Sequence, residues 1–379
     1  MRILPEHGGY HWVFNDSVRM KVPAHLMPSG VPPEIVRRAF DQATTTPGTF
    51  SATVLPTQNC QLACPFCIQN VTVPREGARA DRVSSARMVP ELASQTADYI
   101  RRRSIRSGVT NTRLMLFGGE PLLALDACQT LLNEVVADSA LIWTNGVLLD
   151  SRRLDILAES GLDTVYVSFD GGPESHDQTR RMITGRGTYD TIVRNILTGA
   201  LRHPQMRWVI RTSAMPSTMT GQSRLLEDLS ALPAGDRVAA YVIGLVDDIG
   251  IGFDDVAEVS GGAGVELADQ IIELNRRALE LGFTVSPRTD LANCPFCSDP
   301  DFGITVDADG TLYSCWQTAG RSEMAVGTVV DGVNHQAAES NWVRCDFNVR
   351  PHADPGAVQR FWDRIDQDVL DTTQELHGD

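Results

Sequence analysis

Three cysteines lie close together in the run Cys60-Gln-Leu-Ala-Cys64-Pro-Phe-Cys67. Thiolates bind iron and zinc, and three of them are one fewer than the four that close a cubane iron–sulfur cluster or a tetrahedral zinc site. A metal site that lacks one protein ligand can bind and activate a small molecule at the open position. The spacing also fits a zinc site that a distant His or Cys completes, so the run predicts a metal centre of either kind.

A second group of cysteines follows in the C-terminal third of the sequence: Cys294, Cys297, Cys315 and Cys345. Residues 304–315 alternate apolar and polar side chains around Asp309-Gly310, a pattern typical of a β-hairpin. Such a hairpin would bring Cys297, before its first strand, close to Cys315 at the end of its second. Four thiolates saturate a cubane, so we expect a closed metal centre here, either an iron–sulfur cluster or a zinc site.

The composition excludes several classes of protein. The 379 residues are 42% hydrophobic and 21% charged, which is typical of a folded protein of two or three domains. A net charge of −15 disfavours nucleic acid as a partner. No apolar run is long enough to span a membrane, and the N-terminus lacks a secretory h-region. We therefore expect a cytoplasmic protein, in which thiols serve as metal ligands before disulfides. Cys128, within an apolar helical segment, is expected to be a buried core residue.

The elements that must position these cysteines alternate between strand and helix patterns. Strands are predicted at residues 50–55, 113–117, 140–144, 164–169, 208–212 and 238–245, with helical segments between them. Six such units in series predict a parallel sheet, either doubly wound or a partial barrel. Active sites of these folds lie at the carboxyl ends of the strands, and the first cysteine run directly follows the first strand.

The sequence divides into three predicted parts. Residues 1–49 are an N-terminal extension with a strand-like run at 9–22 and a helix at 33–43. Residues 50–249 hold the α/β units, which we predict to form a partial (β/α)6 TIM-type barrel. Residues 250–379 form a small C-terminal α+β domain built around the β-hairpin.

The first cysteine run, with the aromatic Phe66 just before Cys67, resembles that of the radical S-adenosylmethionine (SAM) enzymes. By that resemblance Cys60, Cys64 and Cys67 hold a [4Fe–4S] cluster whose fourth iron binds SAM, and Phe66 belongs to the SAM site. Gly118-Gly119-Glu120-Pro121 after the second strand is similar to the segment with which the family contacts the SAM amino group. Glycines permit close approach of backbone carbonyls to an ammonium, and a carboxylate completes its hydrogen bonds.

Three further segments at successive strand ends agree with this resemblance. Thr144-Asn145 and Ser168-Phe-Asp170 offer hydroxyl, amide and carboxylate groups suited to a ribose and a carboxylate. By resemblance to peptide-modifying members, Arg180 or Arg181 pairs with the SAM carboxylate. Thr212, with Arg211, is a candidate on the adenine side.

The second cysteine group resembles the opening of a SPASM/twitch auxiliary-cluster domain. The resemblance implies a closed auxiliary [4Fe–4S] cluster on Cys294, Cys297, Cys315 and Cys345. The later cysteine run that serves a second auxiliary cluster is missing from this sequence, so one auxiliary cluster is expected. Trp316-Gln317 occupy the place where some sulfatase-maturing relatives carry an acidic base, which argues against that activity. No catalytic acid or base is assigned.

The resemblance implies a radical SAM oxidoreductase that reductively cleaves SAM to a 5′-deoxyadenosyl radical and abstracts a substrate hydrogen. The favoured substrate is a ribosomally made peptide, which the enzyme crosslinks or oxidises. Its partners would be the precursor peptide, an external one-electron donor of the flavodoxin or ferredoxin type, and, if a leader is recognised, a separate leader-binding protein. The alternatives are a dehydrogenase or epimerase of a small sugar or aminocyclitol and, more remotely, a zinc-stapled binding protein without catalysis.

Overall fold

The computed structural model describes residues 1–15, 18–28, 30–43, 48–74, 81–233, 238–246, 251–288, 300–343 and 354–378. The predicted auxiliary ligands Cys294, Cys297 and Cys345 lie outside these residues, whereas Cys315 lies within them. None of the helices in these ranges is both long and apolar enough to cross a lipid bilayer.

The N-terminal stretch forms a three-stranded antiparallel sheet of β1 (Arg2–Ile3), β2 (Tyr10–Phe14) and β3 (Arg19–Pro23), in that order. The strand-like run expected at 9–22 is therefore a hairpin and not one strand. The side chain of Asn15 accepts a hydrogen bond from the Val18 amide (2.8 Å), as expected of an Asn that begins a turn. Helix α1 (Glu34–Ala43) packs its buried residues against this sheet.

Six parallel strands form the central sheet and follow the predicted positions: β4 (Thr49–Thr57), β5 (Asn111–Gly118), β6 (Ser139–Thr144), β7 (Thr164–Phe169), β8 (Arg207–Ala214) and β9 (Val238–Leu245). Their apolar runs are buried on both faces, which is typical of parallel sheets. One face of each strand, exemplified by Val54, Leu116 and Ile142, joins the large core beneath the helices. Met115 and Leu141 lie on the other face in a separate interior cluster.

The helices of this region are α2 (Pro90–Ser107), α3 (Leu125–Val135), α4 (Ser151–Glu159), α5 (Pro173–Thr179), α6 (Tyr189–Arg202), α7 (Gln222–Ser230) and α8 (Gly261–Glu280). They connect successive parallel strands, and the prediction of a partial (β/α)6 barrel is confirmed. Cys128 is fully buried in α3, and its thiol donates to the Pro121 carbonyl (3.3 Å). This thiol is a core group, as predicted.

The predicted hairpin consists of β10 (Gly303–Val306) and β11 (Thr311–Tyr313), followed by β12 (Gly327–Thr328) and β13 (Gly332–Val333). It turns through Gly310, whose φ of +86° places it in the left-handed region that favours glycine. Strand β10 pairs in parallel with β4, so the hairpin extends the barrel sheet to the order β13-β12-β11-β10-β4-β5-β6-β7-β8-β9. The chain then forms α9 (His335–Asn341) and α10 (Pro355–His377).

Helix α10 is tied to the N-terminal strand by a buried ion-pair cluster. Arg2 lies 2.6 Å from Asp363 and 2.5 Å from Asp366, and the Arg288 amide donates to Asp366 (3.1 Å). Removing one partner from a buried pair leaves an uncompensated charge, so this cluster fixes the helix against β1.

Candidate active site

The first cysteine run is a loop directly after β4. Cys60 is buried, whereas Cys64 and Cys67 are partly exposed. The loop pairs with the chain that follows α5: the Ala63 amide donates to Arg181 (3.0 Å), and the Ile183 amide donates to Gln61 (3.0 Å). The cysteines therefore lie beside the carboxyl ends of the barrel strands, where the sequence predicted the site.

The three thiols influence one another electrostatically. Burial raises the pKa of Cys60 to about 11, and the Glu120 carboxylate and Cys67 add to the shift. Burial raises the pKa of Cys64 well above its usual range, and Cys60 and Cys67 raise it further. Thiolates crowded at low dielectric need a cation to stay ionised, and a bound iron cluster supplies one. Within the described ranges, no three His, Cys, Asp or Glu side chains form a group that could hold a single metal ion. A cubane binds each thiolate to a different iron and so needs wider spacing than a single ion.

Hydrogen-bond donors point at two of the sulfurs. The Sγ of Cys60 accepts from the Leu62 amide (3.4 Å) and from Asn145 Nδ2 (3.6 Å), and lies 3.8 Å from Gln61 Oε1. The Sγ of Cys67 accepts from Arg82 Nη1 (3.7 Å). Such N–H···S contacts stabilise thiolate ligands of iron–sulfur clusters. The donor set therefore fits the predicted cluster.

Gly118 and Gly119 are required by the chain that leads into the cysteine loop. Gly118 has a φ of +128°, and a Cβ added to either glycine would overlap backbone oxygens of residues 57–59. The Gly119 amide donates to Thr57 (2.9 Å), and the Glu120 amide donates to Asn59 (2.8 Å). These contacts give the two glycines a packing role, and their contact with the SAM ammonium stays a prediction.

Glu120 joins the ends of β5 and β6. Its fully buried carboxylate accepts from the Leu122 amide (3.1 Å), Thr144 Oγ1 (2.8 Å) and the Asn145 amide (2.9 Å). Burial raises the pKa of Glu120 to about 7, and the Asn145 and Thr144 hydrogen bonds oppose that shift. The Thr144 hydroxyl is thus committed to positioning Glu120.

Asp170 and Arg180 form a buried ion pair after β7. Asp170 Oδ2 lies 2.8 Å from Arg180 Nε and accepts from Thr179 Oγ1 (2.8 Å), whereas its Oδ1 is buried and has no hydrogen-bond partner among the described residues. The Arg180 guanidinium lies 5.2 Å from the centre of the Phe66 ring and so contacts the cysteine loop. The unsatisfied Oδ1 is available to a ligand donor such as a hydroxyl.

The remaining predicted contacts fall on two sides of the strands. Ser168 Oγ accepts from Trp143 Nε1 (2.9 Å) within the barrel interior. Thr212 is fully buried, and its hydroxyl donates to Gln222 Oε1 of α7 (2.6 Å). Its neighbour Arg211 lies against the Trp143 ring, with its guanidinium 5.9 Å from the ring centre.

An aromatic cluster brings Cys315 into the barrel interior. Cys315 and Trp316 pack with Met115 and Leu141, and the ring centres of Trp316 and Phe117 are 4.4 Å apart. The cluster also contains Trp143 and Tyr166, whose rings stack at 5.3 Å. The Sγ of Cys315 accepts from the Gln317 amide (3.4 Å), the same local contact that Cys60 makes with Leu62.

Three residues of the site were not found from the sequence. Arg82 Nε donates to the Gln58 carbonyl (2.8 Å), and Gln58 Nε2 donates to Asp307 Oδ1 at the hairpin turn (2.8 Å). A chain of hydrogen bonds therefore runs from the Cys67 thiol to the hairpin that carries Cys315. These residues belong to no motif. The pairing of Arg82 with Asn70 brings Arg82 to Gln58, and the pairing of β10 with β4 brings Asp307 there.

Residues 54–198 match the family model described as the Radical SAM superfamily. The chain contains a radical SAM domain. Such a domain implies a SAM-binding [4Fe–4S] cluster and SAM. The assignment of residues 250–379 to a SPASM/twitch-like domain and the individual cofactor contacts stay predictions.

Curated relatives match less than half of this chain. The probable GTP 3′,8-cyclase of Methanopyrus kandleri is 32% identical over 146 residues, 38% of this chain and 42% of the relative. The PqqA peptide cyclase of Rhodopseudomonas palustris is 33% identical over 117 residues, 30% of this chain and 27% of the relative. The chain thus spans less than half of the curated relatives that it matches.

Solved structures share the fold over most of the chain. Native anSMEcpe with bound AdoMet aligns with a TM-score of 0.60 at 12% identity, covering 87% of this chain and 99% of that one. SuiB of Streptococcus suis bound to S-adenosylmethionine aligns with a TM-score of 0.51 at 13% identity, covering 84% and 76%. At these identities the likeness concerns the fold alone.

Proposed function

We propose that this protein is a radical SAM oxidoreductase that modifies a ribosomally made peptide by crosslinking or oxidation. The observation that carries the proposal is the meeting of the Cys60, Cys64 and Cys67 loop with two buried carboxylates, Glu120 after β5 and Asp170 after β7. When bound and reduced, the cluster supplies the electron that cleaves SAM to a 5′-deoxyadenosyl radical, which abstracts a hydrogen from the substrate.

The protein's own groups suit the binding of SAM beside that loop. Glu120, held by three donors, offers a fixed carboxylate for the SAM ammonium. Asp170 Oδ1 offers an unsatisfied acceptor for a hydroxyl group. Arg180 bridges Asp170 and the Phe66 ring, and so holds the loop against the strand that presents Asp170.

An auxiliary [4Fe–4S] cluster on Cys294, Cys297, Cys315 and Cys345 is part of the proposal. Its support among the described residues is Cys315, a buried thiol that accepts a backbone N–H and faces the barrel interior. Such a cluster would accept an electron from the substrate or order the cavity, and it would be closed to external ligands.

The peptide substrate is favoured by two comparisons and by the apolar side chains of the barrel interior. One relative is named PqqA peptide cyclase, and one structure of the same fold is named anSMEcpe with bound AdoMet and Cp18Cys peptide (TM-score 0.55). The aromatic cluster of Phe117, Trp143, Tyr166 and Trp316 offers apolar surface for a side chain. The proposed partners are a precursor peptide, a one-electron donor of the flavodoxin or ferredoxin type, and a separate leader-binding protein if a leader is recognised.

A small-molecule substrate is the second candidate. Several curated relatives are GTP 3′,8-cyclases, among them that of Mycobacterium tuberculosis with 38% identity over 128 residues. A nucleotide is thus a further test compound beside the sugar and aminocyclitol substrates that the sequence analysis left open.

Anaerobic reconstitution tests the proposal. Two [4Fe–4S] clusters predict about eight irons per chain, and dithionite with SAM should release 5′-deoxyadenosine. A candidate precursor peptide from a neighbouring gene should gain or lose mass, whereas GTP or an aminocyclitol should stay unchanged. A colourless protein with stoichiometric zinc would refute the enzyme assignment. Turnover of GTP or an aminocyclitol without a change in any peptide would establish the second candidate.

A further inference from the structure

Arg82 is the one described cation whose hydrogen bond reaches a thiol of the cysteine loop. Its Nη1 lies 3.7 Å from Cys67 Sγ and 3.3 Å from Asn70 Oδ1, while its Nε donates to the Gln58 carbonyl (2.8 Å). Its Nη2 donates to Gln69 Oε1. All three guanidinium nitrogens are therefore engaged, and the charged group is fixed beside the sulfur.

The backbone around Arg82 is paired with the residues that follow Cys67. The Val83 amide donates to the Gln69 carbonyl (3.0 Å), and the Val71 amide donates to the Asp81 carbonyl (2.7 Å). Gln69 and Asn70 are each 2% exposed. Arg82 thus lies on a segment that is hydrogen-bonded to the residues directly after the cysteine loop.

The surroundings of the Arg82 guanidinium differ from those of Arg180, which lies on the other side of the cysteine loop. Arg180 forms an ion pair with Asp170 (2.8 Å). No carboxylate in the described part of the chain forms an ion pair with Arg82. The Cys67 sulfur is thus the group beside the Arg82 guanidinium that would carry negative charge as a cluster ligand.

We propose that Arg82 is a positioning residue that fixes the Cys67 ligand and raises the reduction potential of the SAM-binding cluster. This inference rests on the proposed function, in which Cys67 is a cluster ligand. Reduction adds one negative charge to the cluster, and a nearby cation with an N–H donor on a ligand sulfur stabilises that charge. Removal of the guanidinium therefore makes the cluster harder to reduce.

The test compares Arg82→Gln with Arg87→Gln in the reconstituted full-length protein. Arg87 lies on the same segment but pairs with Asp126 on the surface (2.9 Å, 53% exposed), so its removal controls for loss of one charge. The midpoint potential is measured by titration with dithionite, monitored by EPR. The signal of the SAM-binding cluster is identified as the one that changes when SAM is added. At a fixed solution potential, the ratio of reduced to oxidised cluster in Arg82→Gln should be about tenfold lower than in the wild type. This corresponds to a midpoint potential about 59 mV lower for a one-electron step. Arg87→Gln should match the wild type.

An Arg82→Gln protein that holds its full iron and keeps the wild-type potential would overturn the inference. If Arg82→Gln does not retain the cluster, Gln69→Leu decides, because it keeps the guanidinium but removes one of its anchors. A smaller shift of the same sign in Gln69→Leu supports the inference, and an unchanged potential overturns it. Failure of the proposed function is distinguishable, since the wild type itself would then bind no iron or release no 5′-deoxyadenosine.

Discussion

The cysteine loop after β4 and the hairpin that carries Cys315 are two regions with a shared local geometry and different surroundings. In both, a thiol accepts the backbone N–H two residues later at 3.4 Å. Cys60 is then surrounded by polar groups, among them Asn145 and Glu120, whereas Cys315 packs among aromatic and aliphatic side chains.

This difference fits the two centres that we propose. A centre open to SAM needs fixed acceptors and donors around it, because SAM carries an ammonium, a carboxylate and hydroxyl groups. A closed centre needs only its thiolates and the exclusion of water, which aromatic packing supplies. A thiol that accepts an N–H in a loop also differs from Cys128, whose thiol donates to a helix carbonyl.

The largest effect is expected at the polar region. Replacing Cys60, Cys64 or Cys67 by Ala removes one of three ligands of the open cluster, so 5′-deoxyadenosine release should fall to background. Iron should fall from about eight to about four per chain, since one cubane holds four irons. Iron analysis and chromatography of the nucleoside check this. Cys128→Ala is the matched control and should keep both readouts; a loss there would break the distinction between the thiols.

Replacing the cysteine of the apolar region, Cys315, by Ala should have a different effect on SAM cleavage. Cys315→Ala should also lose about four irons per chain, yet retain SAM cleavage that is uncoupled from product formation. The ratio of 5′-deoxyadenosine to modified product, followed by mass spectrometry, measures the uncoupling. Full coupled turnover in Cys315→Ala would show that an auxiliary cluster is not essential.

The buried Glu120 belongs to the polar region, and the stability that it contributes should depend on pH. Its pKa of about 7 in the fold exceeds the ordinary value of 4.5, so its contribution to stability is present at low pH and lost as pH rises through 7. Glu120→Gln should be less stable at pH 5, because its amide replaces an acceptor of backbone donors. Gln does not titrate, so the difference in unfolding free energy between the wild type and Glu120→Gln should narrow as pH rises. Between pH 5 and 8 it should narrow by roughly 2–3 kcal/mol, at 1.36 kcal/mol per pKa unit. Denaturant unfolding under anaerobic conditions measures this gap; a constant gap would contradict the shifted pKa.

The hydrogen bond between Gln58 and Asp307 joins the two regions, and its loss should lower the free energy of unfolding by a smaller amount. Gln58→Leu removes the donor to Asp307 and leaves a buried carboxylate with the Ala308 amide (2.7 Å). The loss of one partner of a buried acceptor costs about 1–3 kcal/mol. The thermal midpoint of unfolding checks this value. Gln336→Leu on the exposed face of α9 should change stability by less than about 0.5 kcal/mol, and equal stability of both variants would show that the regions are not coupled through this pair.

The alternation of strands and helices was readable from the sequence because each element carries its own periodicity. Predicted strands 164–169 and 238–245 coincide with β7 and β9. The run at 9–22 failed as a single strand, since the chain reverses between Asn15 and Val18, where the sequence Asn-Asp-Ser interrupts the strand-like composition. Periodicity reports which residues are extended, but not where the chain reverses.

The site was predictable in its residue types and less so in its contacts. Glu120 and Asp170 were named from their places at strand ends, as were Thr144, Asn145 and Arg180, but the hydrogen bonds and the ion pair that these residues make with the two carboxylates were not predicted. Arg82 and Asp307 could not be found at all, because each contacts Gln58 through long-range pairing, and the bond from Gln58 to Asp307 depends on β10 lying beside β4, far away in sequence. Long-range strand pairing is set by the whole core and has no local signal.

The pairing of β10 with β4 has a consequence for synthesis on the ribosome. Strand β4 exposes one unpaired edge until residues 303–306 emerge, 246 residues after Thr57. At about 5–20 residues per second, that edge stays open for roughly 12 to 50 seconds. An unpaired, apolar strand edge is a template for aggregation. We expect nascent chains stalled at residue 288 to bind chaperones more strongly than chains stalled at 343, which ribosome-bound pull-down would reveal.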